Sequence, residues 1–157
     1  MKSAKILSTA LLAIGLSGCV IHVNAQRADV ELEETLTLNT ESLTQFALDT
    51  GAGSLEVIGI NDSSEITVDA QIRTTEDRNY TLTLERNGST AKLVAQHDSH
   101  SGYWKGSSPT IDLTVRVPNT LMVDIDDGSG DLKVRDINAN IVIEDGSGAA
   151  SIEGIKG

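Results

Sequence analysis

The chain has 157 residues, a formal charge of −11, 39% hydrophobic residues and one Cys. This length predicts one domain, and a single Cys excludes both an internal disulfide and a multi-Cys zinc site. An acidic chain argues against a nucleic-acid backbone or an anionic lipid surface as main partner, because either would be repelled rather than steered in.

The N-terminus reads Met-Lys-Ser-Ala-Lys and then an apolar run from Ile6 to Leu16. That is the charged region and short apolar region of an export signal, too short to span a bilayer as a lasting helix. Where the run stops stand Leu16, Ser17, Gly18 and Cys19, and Cys19 is the lone Cys. The box resembles the bacterial lipoprotein signal. That resemblance implies cleavage before Cys19, acylation of its sulfur and its amine, and anchoring by chains that each contribute roughly 0.8 kcal/mol per buried CH₂. Residues 1–18 are then signal and 19–28 tether, and the mature 139 residues carry a charge of −13. Val20 after the Cys favours the outer membrane under the sorting rule of enteric-type lipoproteins. The alternative is cleavage near Ala25 and release into the periplasm.

From Asp29 onward apolar and polar residues alternate at period two, and no stretch holds a helical period. Ile66, Val68, Ala70 and Ile72 form one such face; Tyr80, Leu82 and Leu84 a second; Ile111, Leu113, Val115 and Val117 a third, which Pro118 ends. Asn87-Gly88 between two runs predicts a hairpin, because both residues tolerate φ > 0. The segment Gln96 to Pro109, QHDSHSGYWKGSSP, breaks the alternation and predicts a long exposed loop. Only Phe46, Tyr80, Tyr103 and Trp104 are aromatic, so the core must be Val, Ile and Leu.

The segment from Val123 to Val134 recurs 18 positions later as Ile141 to Ile152, and Ile137 returns as Ile155. A third copy lies earlier: Phe46, Leu48, Gly51, Gly53, Leu55, Val57 and Ile60 match Val123, Ile125, Gly128, Gly130, Leu132, Val134 and Ile137 at a constant offset of 77. Each unit is a short strand, a Gly-x-Gly corner and a second short strand. It cannot bury its apolar edge alone and is expected to stack on its neighbour. The expected fold is all-β, a short β-solenoid with about 18 residues per rung and an antiparallel N-terminal part. Asp126 is expected beside Glu144, and Asp127 beside Asp145, at the spacing of neighbouring strands.

These rungs, with Leu113-Thr-Val-Arg-Val-Pro118 before them on an exported chain, resemble the large bacterial family of uncharacterised adhesin-like proteins built on β-solenoid domains. The resemblance covers roughly Phe46 to Gly157 and implies architecture rather than activity, with a domain over 29–157. The second consecutive rung ends at Gly157 without a polar cap. Two expectations follow: the sequence is a fragment, or the open edge is paired, self-association included.

Asp126, Asp127, Glu144 and Asp145 form an acidic corner that could attract calcium, but no EF-hand or nonapeptide register fits, and solvated turn residues explain them better. His97-Asp98-Ser99-His100 could offer ligands to a transition metal; a polar loop is the simpler reading. Tyr103 and Trp104 could contact a sugar ring or a partner, or else cover the end of the core. The sequence lacks a G-x-S-x-G elbow, an H-E-x-x-H pair and a phosphate-binding Gly loop. A non-catalytic envelope protein without cofactor is therefore expected, binding an envelope protein or a surface glycan. The alternatives are a carbohydrate-active β-helix enzyme, which requires a groove lined by carboxylates and a base, and a calcium-stabilised surface module.

Overall fold

The computed structural model describes residues 27–98, 104 and 106–157, so the signal, Cys19 and most of the tether lie outside the described residues. Eleven strands follow in chain order: β1 (Val30–Asn39), β2 (Gln45–Ala52), β3 (Leu55–Ile60), β4 (Glu65–Thr74), β5 (Tyr80–Asn87), β6 (Thr90–His97), β7 (Thr110–Pro118), β8 (Met122–Ser129), β9 (Leu132–Arg135), β10 (Ile141–Asp145) and β11 (Ala150–Glu153). The described residues contain no helix. The three alternating runs read from the sequence are β4, β5 and β7.

The strands form two mixed sheets, of six strands in the order β1-β4-β7-β3-β9-β11 and of five in the order β10-β8-β2-β6-β5. Neither sheet closes on itself. The antiparallel part comprises β1 on β4, β4 on β7, and the β5–β6 hairpin. The repeated units lie side by side in parallel. Phe46 pairs with Val123 and Leu48 with Ile125, while Leu55 pairs with Leu132 and Val57 with Val134, all at the sequence offset of 77. Val123 pairs with Ile141, and Leu132 with Ala150, at the offset of 18. The repeat in the sequence is thus the register of the sheets.

Alternation explains the layering, because successive side chains of a strand point to opposite faces. One core joins the inner faces of both sheets, with Phe46, Val57, Ile66, Leu93, Ile125 and Ile137 fully buried. Among the described residues Phe46 is the one ring that is fully buried. At the Gly-x-Gly corner the backbone of one unit lies directly on that of the next: a Cβ built on Gly130 would stand 1.8 Å from the carbonyl oxygen of Gly53. The last two units end by turning through the left-handed region at equivalent places, Asp136 with φ 62° and Gly154 with φ 65°.

Three expectations need correction. Asn87 stays in the ladder opposite Thr90, so the hairpin turn is Gly88-Ser89, and only Gly88 takes positive φ, at 61°. That matches the two-residue turn with Gly in first place, which follows the strand twist without straining Asn87. Gln96 and His97 belong to β6 rather than to a loop, because they continue its pairing with β5. The last unit does not share fully in the core. Ile141, Ile143 and Ile155 are half-buried and Ile152 is 49% exposed, because β10 and β11 are edge strands among the described residues.

Candidate binding surfaces

Residue parity decides the fate of the acidic corner. Val123 and Ile125 point inward from β8, and the next residue on that face is Asp127, only 2% exposed. Its equivalents are Thr50 on one side and Asp145 on the other, so the last inward place before each corner is polar. Thr50 Oγ1 donates to Asp127 Oδ1 at 2.6 Å, whereas Asp127 Oδ2 is buried without a hydrogen-bond partner. Burial pushes the Asp127 carboxyl above the ordinary aspartate value, and the charges of Asp145 and Asp126 push the same way against the Thr50 hydrogen bond. The expectation that Asp127 is a solvated turn residue is therefore wrong. Asp126, Glu144 and Asp145 are exposed, as that reading requires.

The outer face of the five-stranded sheet carries the other acids. Asp49, Asp126 and Glu144 stand in one row across β2, β8 and β10, with Asp124 beside them. They line a groove of about 300 Å³ together with Lys92, whose Nζ lies 3.9 Å from Asp49 Oδ2. Gln96 Nε2 donates to Asp49, and Gln45 Nε2 to Asp124 at 3.4 Å. Among the described residues no group of three or more His, Cys, Asp or Glu is placed to share a metal ion.

The outer face of the six-stranded sheet is polar and of mixed sign. A groove of about 420 Å³ is lined by Ser54, Glu56, Asp69, Gln71, Asp112 and Lys133 among others. Its rim is organised by short contacts: Ser54 donates to Asp112 Oδ1 through N at 2.7 Å and Oγ at 2.9 Å, and Arg116 Nη1 donates to Asp69 at 2.5 Å. The Arg116 hydrogen bond, helped by Thr35, holds the Asp69 carboxyl below the ordinary range. At the sheet end Tyr80 donates to Glu34, and burial holds the His97 imidazole below its ordinary value.

Most of the remaining sequence candidates lie outside the described residues. Leu16, Ser17, Gly18, Cys19, His100 and Tyr103 are outside the described residues, whereas Trp104 is half-buried in a one-residue bridge. The grooves, and the inward placing of Asp127, were missed. Counting by twos from Val123 would have found the latter.

No family model matches the chain, and no curated protein does. Solved structures do. A candidate cell-adhesion protein from Clostridium sporogenes superposes with a TM-score of 0.54 at 14% identity, over 79% of this chain and 59% of that one. A candidate lipid-binding protein from Parabacteroides distasonis gives 0.45 at 15% identity, over 73% of this chain and 47% of that one. A candidate adhesin from Bacteroides fragilis gives 0.41 at 12% identity, over 82% of this chain and 57% of that one. The first of these likenesses establishes a shared all-β fold. The chain spans about half to three fifths of the length of these solved relatives.

Proposed function

We propose that the chain is a bacterial envelope lipoprotein, tethered through Cys19 at the outer membrane, whose β domain has a non-catalytic binding or structural role of the adhesin kind. The observation that carries this reading is the fold shared with the Clostridium sporogenes cell-adhesion candidate. The Leu16-Ser17-Gly18-Cys19 box supports the anchor. In this reading the units β2–β3, β8–β9 and β10–β11 are three turns of a short solenoid. Each turn exposes a polar outer face, the form of surface that recognises a partner by many shallow contacts. Growth of producing cells with labelled palmitate tests the anchor: label enters the wild-type chain and not Cys19→Ser. Equal absence of label from both removes it.

A carbohydrate-active enzyme is the second reading, and one feature favours it: the row Asp49, Asp126 and Glu144 beside Lys92. Glycoside cleavage needs two carboxylates at a set separation, one of them holding a proton. Here all three acids open to solvent or lie only half-buried. Release of reducing sugar from envelope polysaccharide, abolished by Asp126→Asn, would favour the enzyme; absence of release favours the binding module.

A further inference from the structure

The edge strands β1 and β5 of the two sheets lie against each other with no ladder between them, and side chains clasp this seam at two ends. At one end Arg86 of β5 donates to the carbonyls of Glu41 and Asn39 at 2.6 and 2.7 Å. At the other Tyr80 of β5 donates to Glu34 of β1. Between the clasps Leu36, Leu38, Leu82 and Leu84 are half-buried against the core.

The Tyr80 clasp rests on His97. The two residues stand opposite each other at the end of the β5–β6 register, with ring centroids 6.0 Å apart. His97 follows Ala91, Leu93 and Ala95 on the inward side of β6, and both its ring nitrogens are buried without a hydrogen-bond partner. Thr74 ends β4 on the inward side as well, fully buried, with Oγ1 equally unpartnered. The Arg73 backbone lies near the imidazole, which brings these two strand ends together.

A neutral imidazole donates from one nitrogen, whereas a protonated one donates from both. Two buried donors without acceptors are costly, and more so when they carry a charge. Few charged groups stand near enough to offset this among the described residues. Asp98 follows the ring in sequence, the Arg73 guanidinium is paired with Glu31 at 3.6 Å, and Glu34 and Arg78 act on the Tyr80 hydroxyl. Burial outweighs the opposing pull of the Arg73 backbone and of Asp98 and holds the imidazole below its ordinary value.

We propose that His97 is an acid-sensitive latch on the seam: a proton on its imidazole drives the ring out of its buried place, releases Tyr80 from Glu34, and opens the seam at that end. The Arg86 clasp contains no titrating imidazole and stays shut. Opening at one end bares the leucines between the clasps, so mild acid exposes an apolar strip that neutral pH covers. This inference goes beyond the binding-module reading and does not depend on it or on the anchor.

The sign follows from the lowered value. The closed end has its full stability above the ordinary histidine value and loses it as pH falls through that value toward the lower folded one. Amide exchange resolved by residue reads this directly. Asp98 donates its amide to the Asn79 carbonyl at 3.2 Å, so ladder alternation makes Thr81 with Gln96, and Glu85 with Lys92, hydrogen-bonded pairs.

In the full purified chain, exchange at Thr81, Gln96 and Asp98, corrected for the intrinsic rate, should quicken between about pH 7.5 and about pH 5. The rise should reach up to about tenfold for each unit by which the folded value lies below the ordinary one. Glu85 and Lys92 should not follow, and the rise should level off where the imidazole proton shifts of His97 titrate. His97→Gln should remove the pH dependence, while His100→Gln and Glu34→Gln should keep it. Exchange indifferent to pH, equal quickening at Glu85 and Lys92, or a His97 imidazole titrating at or above the ordinary histidine value would overturn the proposal. So would a dependence that survives His97→Gln or disappears in either of the other two variants.

Discussion

Thr50 and Asp127 stand 77 residues apart in sequence and occupy the same inward place in neighbouring units, where the Thr50 hydroxyl donates to the Asp127 carboxylate at 2.6 Å. The pair shows what the repeat does. It brings equivalent positions to one spot, so a carboxyl that would be solvated in a lone turn becomes buried between a hydroxyl and another acid.

The buried carboxyl makes stability depend on pH. Its folded value is raised above the unfolded one, chiefly by burial, so the folded chain keeps this proton to higher pH. Its contribution is full below the ordinary aspartate value and is lost as pH rises through the raised folded value. Asp127→Asn should therefore melt higher than wild type at pH 7.5, and the gap should shrink as pH falls toward 4. Thermal melts of both proteins across that range check it, and an unchanged gap would sink the burial account.

The corner predicts a contrast between two glycines of positive φ. Gly130→Ala adds a methyl 1.8 Å from the Gly53 carbonyl oxygen and should cost about 3 kcal/mol or prevent folding. Gly88→Ala meets no atom within 4 Å and should cost only about 1 kcal/mol, the conformational price of the left-handed turn. Urea titrations of both variants give the two numbers.

Position along the stack predicts a gradient in the cost of losing apolar side chains. Ile137→Ala, at a fully buried site, should cost about 2–5 kcal/mol. Ile152→Ala, at a half-exposed site, should cost less than about 1 kcal/mol. Similar losses at the two sites would mean that the last unit is covered in solution.

Metal removal should do nothing. The acids of the outer row stand one to a strand across β2, β8 and β10, and no group of three forms a metal site among the described residues. Adding EDTA should leave the melting curve where it was; a fall restored by calcium would revive the calcium-stabilised alternative.

Strands and register were legible because each rests on a local rule. Period-two alternation marked β4, β5 and β7, and constant offsets of 77 and 18 marked which residues pair. Parallel pairing of β6 on β2 and of β7 on β3 was not legible, since those partners share no repeat and meet only through the chain's long-range path. The hairpin turn fell one residue late, because Asn87 gains more from its place opposite Thr90 than from a turn. Asp127 was misjudged from its neighbours' chemistry, although its parity with Val123 and Ile125 placed it inside. The grooves depend on which strands become neighbours and could not be read in advance.

The central claim, a binding module held at the envelope by a lipid on Cys19, is tested most directly by fractionating cells that make the full chain. Wild type should sediment with membranes, resist high-salt washing and dissolve in detergent, while Cys19→Ser should appear in the soluble fraction. Recovery of both chains in the soluble fraction, or of both in the membrane, would contradict it.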